Sequence, residues 1–301
     1  MNINACWRLM PILLLLSVFL PAVQAQGIAT PTLDRIRRHG TIFVGHREDS
    51  IPFSYMVGDD VVGYSTEICD RVVDAVREKL GMPNLKVVRV PVTSFSRILM
   101  LMTGSVDLEC GSTTNTRIRQ QRMAFSVTTF VAGVKTLVRK DAGIDRIEDL
   151  SGKVVVTTSG TTTERLVRTV MAARKLSAPR LRTASKHVDS FAMVPSRQAE
   201  AFVLDEPILA GLLASSPDAA SLKLLAENFG FEPYGMGMRR EDPEFKKLVD
   251  ETLVGMMKSG EMERLYNKWF MSPIPPDNIN LQMPMSEMLR DLLRNPSDSG
   301  I

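Results

Sequence analysis

The feature that most constrains the fold is a regular alternation of short apolar strands with amphipathic helices. Residues 41–45, 85–90 and 106–109 have the apolar and β-branched character of strands. Between the first two, residues 64–80 carry apolar side chains at helical spacing, and glycine and proline at 81–84 end that helix. Strand–helix–strand units of this kind favour a mainly parallel sheet with helices on both faces.

Two long extended segments, residues 126–138 and 231–238, interrupt this alternation. A second strand–helix series lies between them, with predicted strands at 153–157, 180–184, 199–203 and 222–225 and predicted helices at 161–174, 188–195 and 206–214. Two amphipathic helices follow, at 243–258 and 260–270. The simplest path takes the chain out of one lobe through the first extended segment and back through the second.

The sequence therefore predicts an α/β protein of two lobes, each a mainly parallel sheet flanked by helices, joined by two hinge strands. We place the first lobe at 26–130 together with 233–273, and the second at 131–232. Residues 274–301 form a tail, and the prolines near its start predict an extended path over the surface. A cleft between such lobes, at the carboxyl ends of parallel strands, is where a ligand is expected.

Residues 1–25 have the pattern of a cleaved signal peptide. Arg8 precedes an apolar run at 10–20 that is too short to span a bilayer comfortably, and Val23 and Ala25 supply the small side chains that a signal peptidase accepts. An uncleaved anchor is the alternative. Cys6 lies ahead of the apolar run, so it cannot carry a lipid at the start of the mature chain.

Charge and composition exclude several classes of function. The 37 basic and 34 acidic residues give a formal net charge of +3, which gives no reason to expect a nucleic acid as the main partner. The three histidines lack metal-ligand spacing and there is no Cys-x-x-Cys motif, so neither a metal site nor a cofactor is predicted. Cys69 and Cys110 could pair in an exported protein, and the sequence alone leaves this open.

Polar residues follow predicted strands at three places, 45–48, 111–119 and 158–162. Main-chain N–H groups at the start of the next helix are free there and favour an anion such as a carboxylate. For the third segment, a cluster of helix N-caps is the alternative interpretation, because Ser and Thr are favoured at that position in any case.

A set of short segments occurs in a specific order along the chain. They are Val44–Glu48, Pro52–Tyr55, Val62–Ser65, Glu109–Asn115, Thr158–Thr162, His187–Phe191 and Lys268–Phe270 with Pro273–Pro276. In this order they resemble the periplasmic amino-acid-binding proteins of ABC importers (solute-binding protein family 3), and most closely the glutamate/aspartate-binding branch. The resemblance extends from about residue 33 to residue 276.

The resemblance implies a partner for each charged end of a free acidic amino acid. Arg119 matches the family arginine that holds the α-carboxylate as a planar fork. Asp205, near the end of a predicted strand, matches the carboxylate that receives the α-ammonium. Further hydroxyl and backbone donors to the α-carboxylate are expected from Ser112, Thr114, Thr161 and Thr162.

The residues around the side-chain carboxylate of the ligand would decide whether the protein belongs to the acidic-ligand branch of the family. Arg47, Arg97 and His187, with Ser94 beside Arg97, match the positions that surround this carboxylate in the acidic-ligand branch. A neutral ligand would leave both arginines facing no charge, so glutamate or aspartate is expected over glutamine. The alternatives are a solvated surface arginine at 97, a helix-capping histidine at 187 and a salt bridge on the lobe surface at 47.

The resemblance implies a periplasmic binding protein that captures L-glutamate or L-aspartate and closes by bending near residues 130 and 232. As a monomer it would present the ligand to the membrane permease of an ABC importer. Two alternatives stay open. One is an enzyme of the cyclic-acid dehydratase type on the same scaffold, for which only His187 is available as acid or base; the other is an amino-acid sensor.

Three further positions either depart from the family pattern or have an expected location in the fold. Met236 stands near a position where relatives of this branch can carry Cys. Cys69 is expected in the core on a helix face, so no Cys69–Cys110 bridge is expected. Glu67 is expected to cap a helix or face the hinge, outside the cleft.

Overall fold

The computed structural model describes residues 32–301 and contains two lobes, each built around one large β-sheet, with a further three-stranded sheet in the first lobe. The predicted leader at 1–25 lies outside the described residues. Of the helices within the described part of the chain, none combines the length and apolar composition that a bilayer-crossing helix needs.

The first lobe is formed mainly by the chain up to residue 125. Its elements in chain order are α1 (Thr32–His39), β1 (Thr41–His46), β2 (Asp49–Ser50), β3 (Ser54–Val57), β4 (Asp60–Val62), α2 (Tyr64–Leu80), β5 (Lys86–Pro91), α3 (Arg97–Met102), β6 (Leu108–Glu109), α4 (Arg117–Gln120) and β7 (Met123–Phe125).

The second lobe follows, and the chain then returns to the first. The elements of the second lobe are β8 (Phe130–Arg139), β9 (Val154–Thr158), α5 (Thr163–Ala173), β10 (Arg180–Ala184), α6 (His187–Ala192), β11 (Ala201–Asp205), α7 (Glu206–Ala214), β12 (Leu222–Leu224) and β13 (Gly230–Tyr234), with short 3-10 turns at Ile147–Leu150 and Ala219–Ser221. After the return come β14 (Gly237–Arg239), α8 (Pro243–Lys258), α9 (Glu261–Phe270) and α10 (Glu287–Arg294).

Each sheet is parallel from one edge to its middle and antiparallel beyond, so the sheets are mixed and not mainly parallel as predicted, because antiparallel strands carry the chain through the hinge. The first sheet has the order β5-β1-β6-β14-β7, in which β1 is parallel to β5 and β6 whereas β14 is antiparallel to its neighbours. The second has the order β10-β9-β11-β8-β12, with β13 also paired to β8. There β9 is parallel to β10 and β11, and β8 runs against β11, β12 and β13. Strand β8 is antiparallel because it starts at the hinge, where the parallel strands end.

An aromatic cluster surrounds the point where the two hinge strands meet. Phe130 at the start of β8 is opposite Tyr234 at the end of β13. The ring of Phe130 packs edge-on against Phe53 with centroids 4.8 Å apart, and stacks on Phe270 at 5.0 Å. Because Phe53 and Phe270 belong to the first lobe, these contacts anchor the hinge to that lobe.

We expect Phe130→Ala to lower the free energy of unfolding by about 3–5 kcal/mol, because the change leaves a cavity inside this cluster. Phe231→Ala is the matched control, since Phe231 lies on the paired hinge strand but is 52% exposed. Urea denaturation of both variants checks this. Equal losses in the two variants would contradict the assignment of the cluster as the hinge anchor.

The two cysteines of the described chain form a disulfide, so the expectation that they would not pair was wrong. Cys69 lies on α2 and Cys110 directly follows β6, and their Cα atoms are 6.0 Å apart. Cys69 is buried on a helix face, as predicted. The helical pattern shows which face of α2 is buried but not which strand end that face meets, and this second fact decides the pairing. The bond ties α2 to the loop that begins at Gly111.

Removing this bond with Cys69→Ala/Cys110→Ala is expected to reduce the free energy of unfolding by about 2–4 kcal/mol, because the crosslink restricts the unfolded chain. Thermal unfolding with and without a reductant checks this. The reductant should lower the melting temperature of the wild type towards that of the variant and leave the variant unchanged. A wild type that does not respond would count against the bond.

The tail is more ordered than the predicted extended path. It contains α10, in which Leu289 is buried, and then continues to the loop after β6. The Asn115 side chain donates to the Asp298 carbonyl at 2.8 Å, and the Arg117 amide donates to the Ile301 carbonyl at 3.0 Å. The prolines at the start of the tail predicted the end of α9, but proline content carries no information about where the later segment binds.

Candidate functional site

Eight of the ten predicted site residues line one cavity between the lobes. The cavity is small: the space open to the centre of a water-sized sphere is about 10 Å³, roughly what one water molecule needs. Each of the eight lies at or just beyond the carboxyl end of a strand or at the start of the following helix. They are Ser94, Arg97, Ser112 and Thr114 from the first lobe and Thr161, Thr162, His187 and Asp205 from the second.

Arg97 provides a buried positive charge on the wall of this cavity. It is 2% exposed, so it is not the solvated surface arginine that the sequence left open. One terminal nitrogen donates to the Ser112 carbonyl at 3.2 Å and to Thr113 Oγ1 at 2.5 Å, and lies 4.0 Å from a carboxylate oxygen of Glu109. Its Nε is buried with no hydrogen-bond partner among residues 32–301. The guanidinium therefore keeps donor capacity for a ligand.

Arg47 lies behind the cavity wall and is not among the residues that line it. Its guanidinium donates to Ser50 Oγ, to the Val92 carbonyl and to Asp49 Oδ1, each at 3.2 Å. Burial first, and then the nearby positive charge of Arg97, lower the pKa of Arg47. The ion pair with Asp49 is buried, so it is not the surface salt bridge considered from the sequence.

Asp49 joins the two lobes, and the sequence analysis missed it. Its Oδ2 accepts the backbone N–H of His187 at 2.5 Å and that of Val188 at 3.4 Å, at the start of α6. Burial alone would raise the pKa of Asp49, but His187, Arg47 and the two N–H groups hold it below its ordinary value. The only sequence signal was its position two residues after Arg47.

His187 is the first residue of α6, and its ring lines the cavity. Lys186 occupies the helix-capping position, so the histidine is not the cap considered from the sequence. Nδ1 lies 2.9 Å from Thr158 Oγ1. Burial is the main cause that lowers the pKa of His187 to about 3, so the imidazole is neutral at physiological pH.

Arg119 lies on a second, larger cavity that shares Thr161 and Thr162 with the first. It is buried on α4 and donates to the Thr114 carbonyl at 2.9 Å and to the Gly160 carbonyl at 3.0 Å. Burial, followed by repulsion from Arg97, lowers its pKa to about 10, so it stays charged near neutral pH. Arg119 thus spans the lobes at the edge of the smaller cavity.

Asp205 presents a carboxylate oxygen without a partner. Its Oδ2 accepts the hydroxyl of Tyr234 at 2.5 Å, whereas Oδ1 is buried and has no hydrogen-bond partner in the described chain. Burial first and then the negative charge of Glu232 raise its pKa well above the ordinary value. A cationic group bound at Oδ1 would relieve both effects.

Two further acids of the site were not predicted. Glu109 at the end of β6 and Glu232 on β13 are both almost fully buried. Glu109 accepts from Thr113 Oγ1 at 2.6 Å, close to Arg97. Glu109 belongs to one of the segments that resemble the family, but the sequence analysis gave it no role. The local sequence around Glu232 does not distinguish it from an acid on the surface.

Glu67 lies outside the cavity, as expected. It pairs with Lys268, and the residue that caps α2 is Gly63.

Gly160 sets how closely the lobes approach. Its φ is +79°, and a Cβ at this position would lie 2.6 Å from the backbone N and Cα of Phe95 in the other lobe. A side chain here would therefore meet backbone that cannot move aside easily, and the Gly160 carbonyl would be displaced from Arg119.

Gly160→Ala is expected to hold the lobes apart, which small-angle X-ray scattering would detect as a larger radius of gyration than that of the wild type. Gly143→Ala is the matched control, because Gly143 also has a positive φ of 63° but a Cβ added there would meet no atom within 4 Å. Both variants should lose about 1–2 kcal/mol of stability from the left-handed backbone. Equal radii in the two variants would refute the role of Gly160.

Comparison with known proteins gives relatives that cover most of the chain. It is 42% identical over 274 residues to a glutamate/aspartate import solute-binding protein of Salmonella typhimurium, covering 91% of this chain and 90% of the relative. It is 41% identical over 298 residues to an L-glutamate/L-aspartate-binding protein of Pseudomonas aeruginosa, covering 97% and 98%.

Solved structures support the same fold. A mutant of ArgBP from T. maritima matches with a TM-score of 0.70 at 26% identity, covering 79% of this chain and 98% of that one. An ancestral amino acid-binding protein, described as a precursor of cyclohexadienyl dehydratase, matches with a TM-score of 0.67 at 30% identity, covering 79% and 99%. The predicted two-lobe α/β fold of the amino-acid-binding proteins is confirmed.

The family model for the bacterial extracellular solute-binding proteins, family 3, matches residues 42–272, which include every residue that lines the cavity between the lobes. The chain belongs to this family.

Proposed function

We propose that this protein binds L-glutamate or L-aspartate between its lobes and delivers it to the membrane permease of an ABC importer. The observation that carries the proposal is the charge arrangement around one cavity. A buried guanidinium with an unpartnered Nε, that of Arg97, and a buried carboxylate with an unpartnered oxygen, that of Asp205, line the same small space. The curated relatives that bind these two amino acids support the proposal.

The proposed ligand matches this arrangement charge by charge. The α-ammonium would lie at Asp205, and the α-carboxylate would lie towards Arg119, near Ser112 and the segment at 161–162. The side-chain carboxylate would lie at Arg97, with Ser94 and His187 around it. Burial of such an ion without these partners would be prohibitive in free energy.

Arg47 would act on the ligand from a distance. After burial, the positive charge of Arg97 is the second cause that lowers the pKa of Arg47, so the two guanidinium groups repel each other and a bound carboxylate would reduce this repulsion. Asp49 already pairs with Arg47, so a neutral ligand would leave mainly Arg97 without a full counter-charge. The penalty against glutamine is therefore expected to come mostly from Arg97.

The same proposal includes the lobes that close on the ligand, the export of the protein and its place of action. We place the lobe boundaries at 26–130 with 233–273 and at 131–232, which the antiparallel pairing of β8 with β13 supports. The protein would be exported with cleavage of residues 1–25 and would act in the periplasm as a monomer. The curated relatives are binding proteins, which favours this function over a dehydratase-type enzyme.

Isothermal titration of the mature protein with L-glutamate, L-aspartate, glutamine, histidine and arginine tests the proposal. We expect one site that prefers the two acidic ligands over glutamine by at least about tenfold, since a charged hydrogen bond is worth about 1.5–3 kcal/mol. Glutamine binding as tight as that of glutamate would contradict the assignment.

Arg97→Gln should narrow the gap between glutamate and glutamine. Arg89→Gln is the control, because Arg89 lies on β5 and pairs with Asp70 away from the cavity. Unchanged selectivity in the Arg97 variant would remove this residue from the site.

A further inference from the structure

Glu232 holds one hydroxyl from each lobe. It lies in the middle of hinge strand β13 and is 2% exposed. Its Oε2 accepts from Thr114 Oγ1 at 2.6 Å, and its Oε1 accepts from Thr162 Oγ1. Thr114 follows β6 of the first lobe, whereas Thr162 precedes α5 of the second. One hinge carboxylate therefore determines the direction of two hydroxyl groups.

Those directions decide what the two threonines can offer to the cavity that they line. A threonine hydroxyl has one proton, and an ionised carboxylate only accepts hydrogen bonds. With both protons directed to Glu232, the Oγ1 atoms of Thr114 and Thr162 have only lone pairs left for a ligand. Lone pairs suit an ammonium and do not suit a carboxylate, which reverses the role expected for these two hydroxyls from the sequence.

Asp205 adds a third acceptor to the same wall. Its Oδ1 is buried without a partner in residues 32–301, and Glu232 is close enough to raise its pKa further after burial. The other groups that act on Asp205 are Tyr234, Arg97 and Arg119, and all three lower its pKa. The hinge acid thus affects the ammonium site both through the threonines and through its charge.

We propose that Glu232 is a positioning residue for the ligand ammonium, acting through Thr114 and Thr162, whose hydroxyl protons it holds away from the ligand. The proposal rests on the proposed function and deepens it. Under this proposal, Glu232 acts together with Asp205 to make the site prefer an amino acid over a dicarboxylate that lacks the ammonium group.

Glu232→Gln tests the proposal because an amide cannot accept from both threonines in the same geometry. One of its two positions becomes an NH₂ donor, so one threonine must turn its proton towards the ligand. We expect the dissociation constant for L-glutamate to rise at least tenfold. Glu164→Gln, an exposed acid on α5 that pairs with Arg168, makes the same change in charge and should leave affinity unchanged.

The pH profile separates positioning from a merely structural role. Binding of an ammonium favours ionised Asp205, so affinity should fall as the pH drops through the pKa of Asp205 in the free protein. Loss of the negative charge of Glu232 lowers that pKa, so the fall in affinity should move to lower pH in Glu232→Gln. An unshifted profile would refute the electrostatic part of the proposal.

A double-mutant cycle tests the route through the threonines. In a Thr162→Val background, Glu232→Gln should weaken binding by a smaller factor than in the wild type, because one of the hydroxyls that it orients is gone. Equal factors in both backgrounds would overturn the proposal.

Neutron diffraction of the wild type with L-glutamate gives an answer even if the Glu232 variant does not fold. Deuterons of Thr114 and Thr162 directed to Glu232 support the proposal, and deuterons directed to the ligand overturn it. If the wild type binds no acidic amino acid, the proposed function itself fails. If it binds and Glu232→Gln behaves like Glu164→Gln, only the role of Glu232 fails.

Discussion

The cost of removing charge from water governs the region between the lobes. Asp49 illustrates how the structure meets this cost, because one oxygen pairs with Arg47 and the other accepts backbone N–H groups of α6 in the opposite lobe. Separation of the lobes would break the contacts with α6 and expose the Asp49 carboxylate to solvent, while its pair with Arg47 lies within the first lobe. The same groups therefore stabilise lobe contact and shape the wall of the cavity, and a ligand that leaves a charge unmatched would disturb both.

Local patterns predicted the elements well. The helices at 64–80 and 243–258 have the predicted bounds, because a long apolar stripe and clear end signals fix both the type and the length of a helix. The antiparallel strands were not predicted, since strand direction depends on where the chain re-enters the sheet. The Cys69–Cys110 bond was missed for the same kind of reason: it depends on which tertiary neighbour a buried helix face meets.

The site was predictable only in part. Strand ends and the family resemblance gave the eight residues that line the cavity. Asp49, Glu109 and Glu232 were missed because an acid that pairs with a distant group looks, in sequence, like an acid on the surface. The threonine hydroxyls show a subtler limit. Their residue type was correct, but whether each donates or accepts depends on Glu232, which is 118 residues away from Thr114.

The route of the tail has a practical consequence for biosensor engineering. Because the Arg117 amide is hydrogen-bonded to the Ile301 carbonyl, any polypeptide fused beyond Ile301 would begin beside the segment that carries Arg119. A fluorescent reporter attached there would begin at the larger cavity, which Ile301 and Arg119 both line. A purification tag at the same place would begin beside Arg119 as well, so affinity measurements call for tag removal.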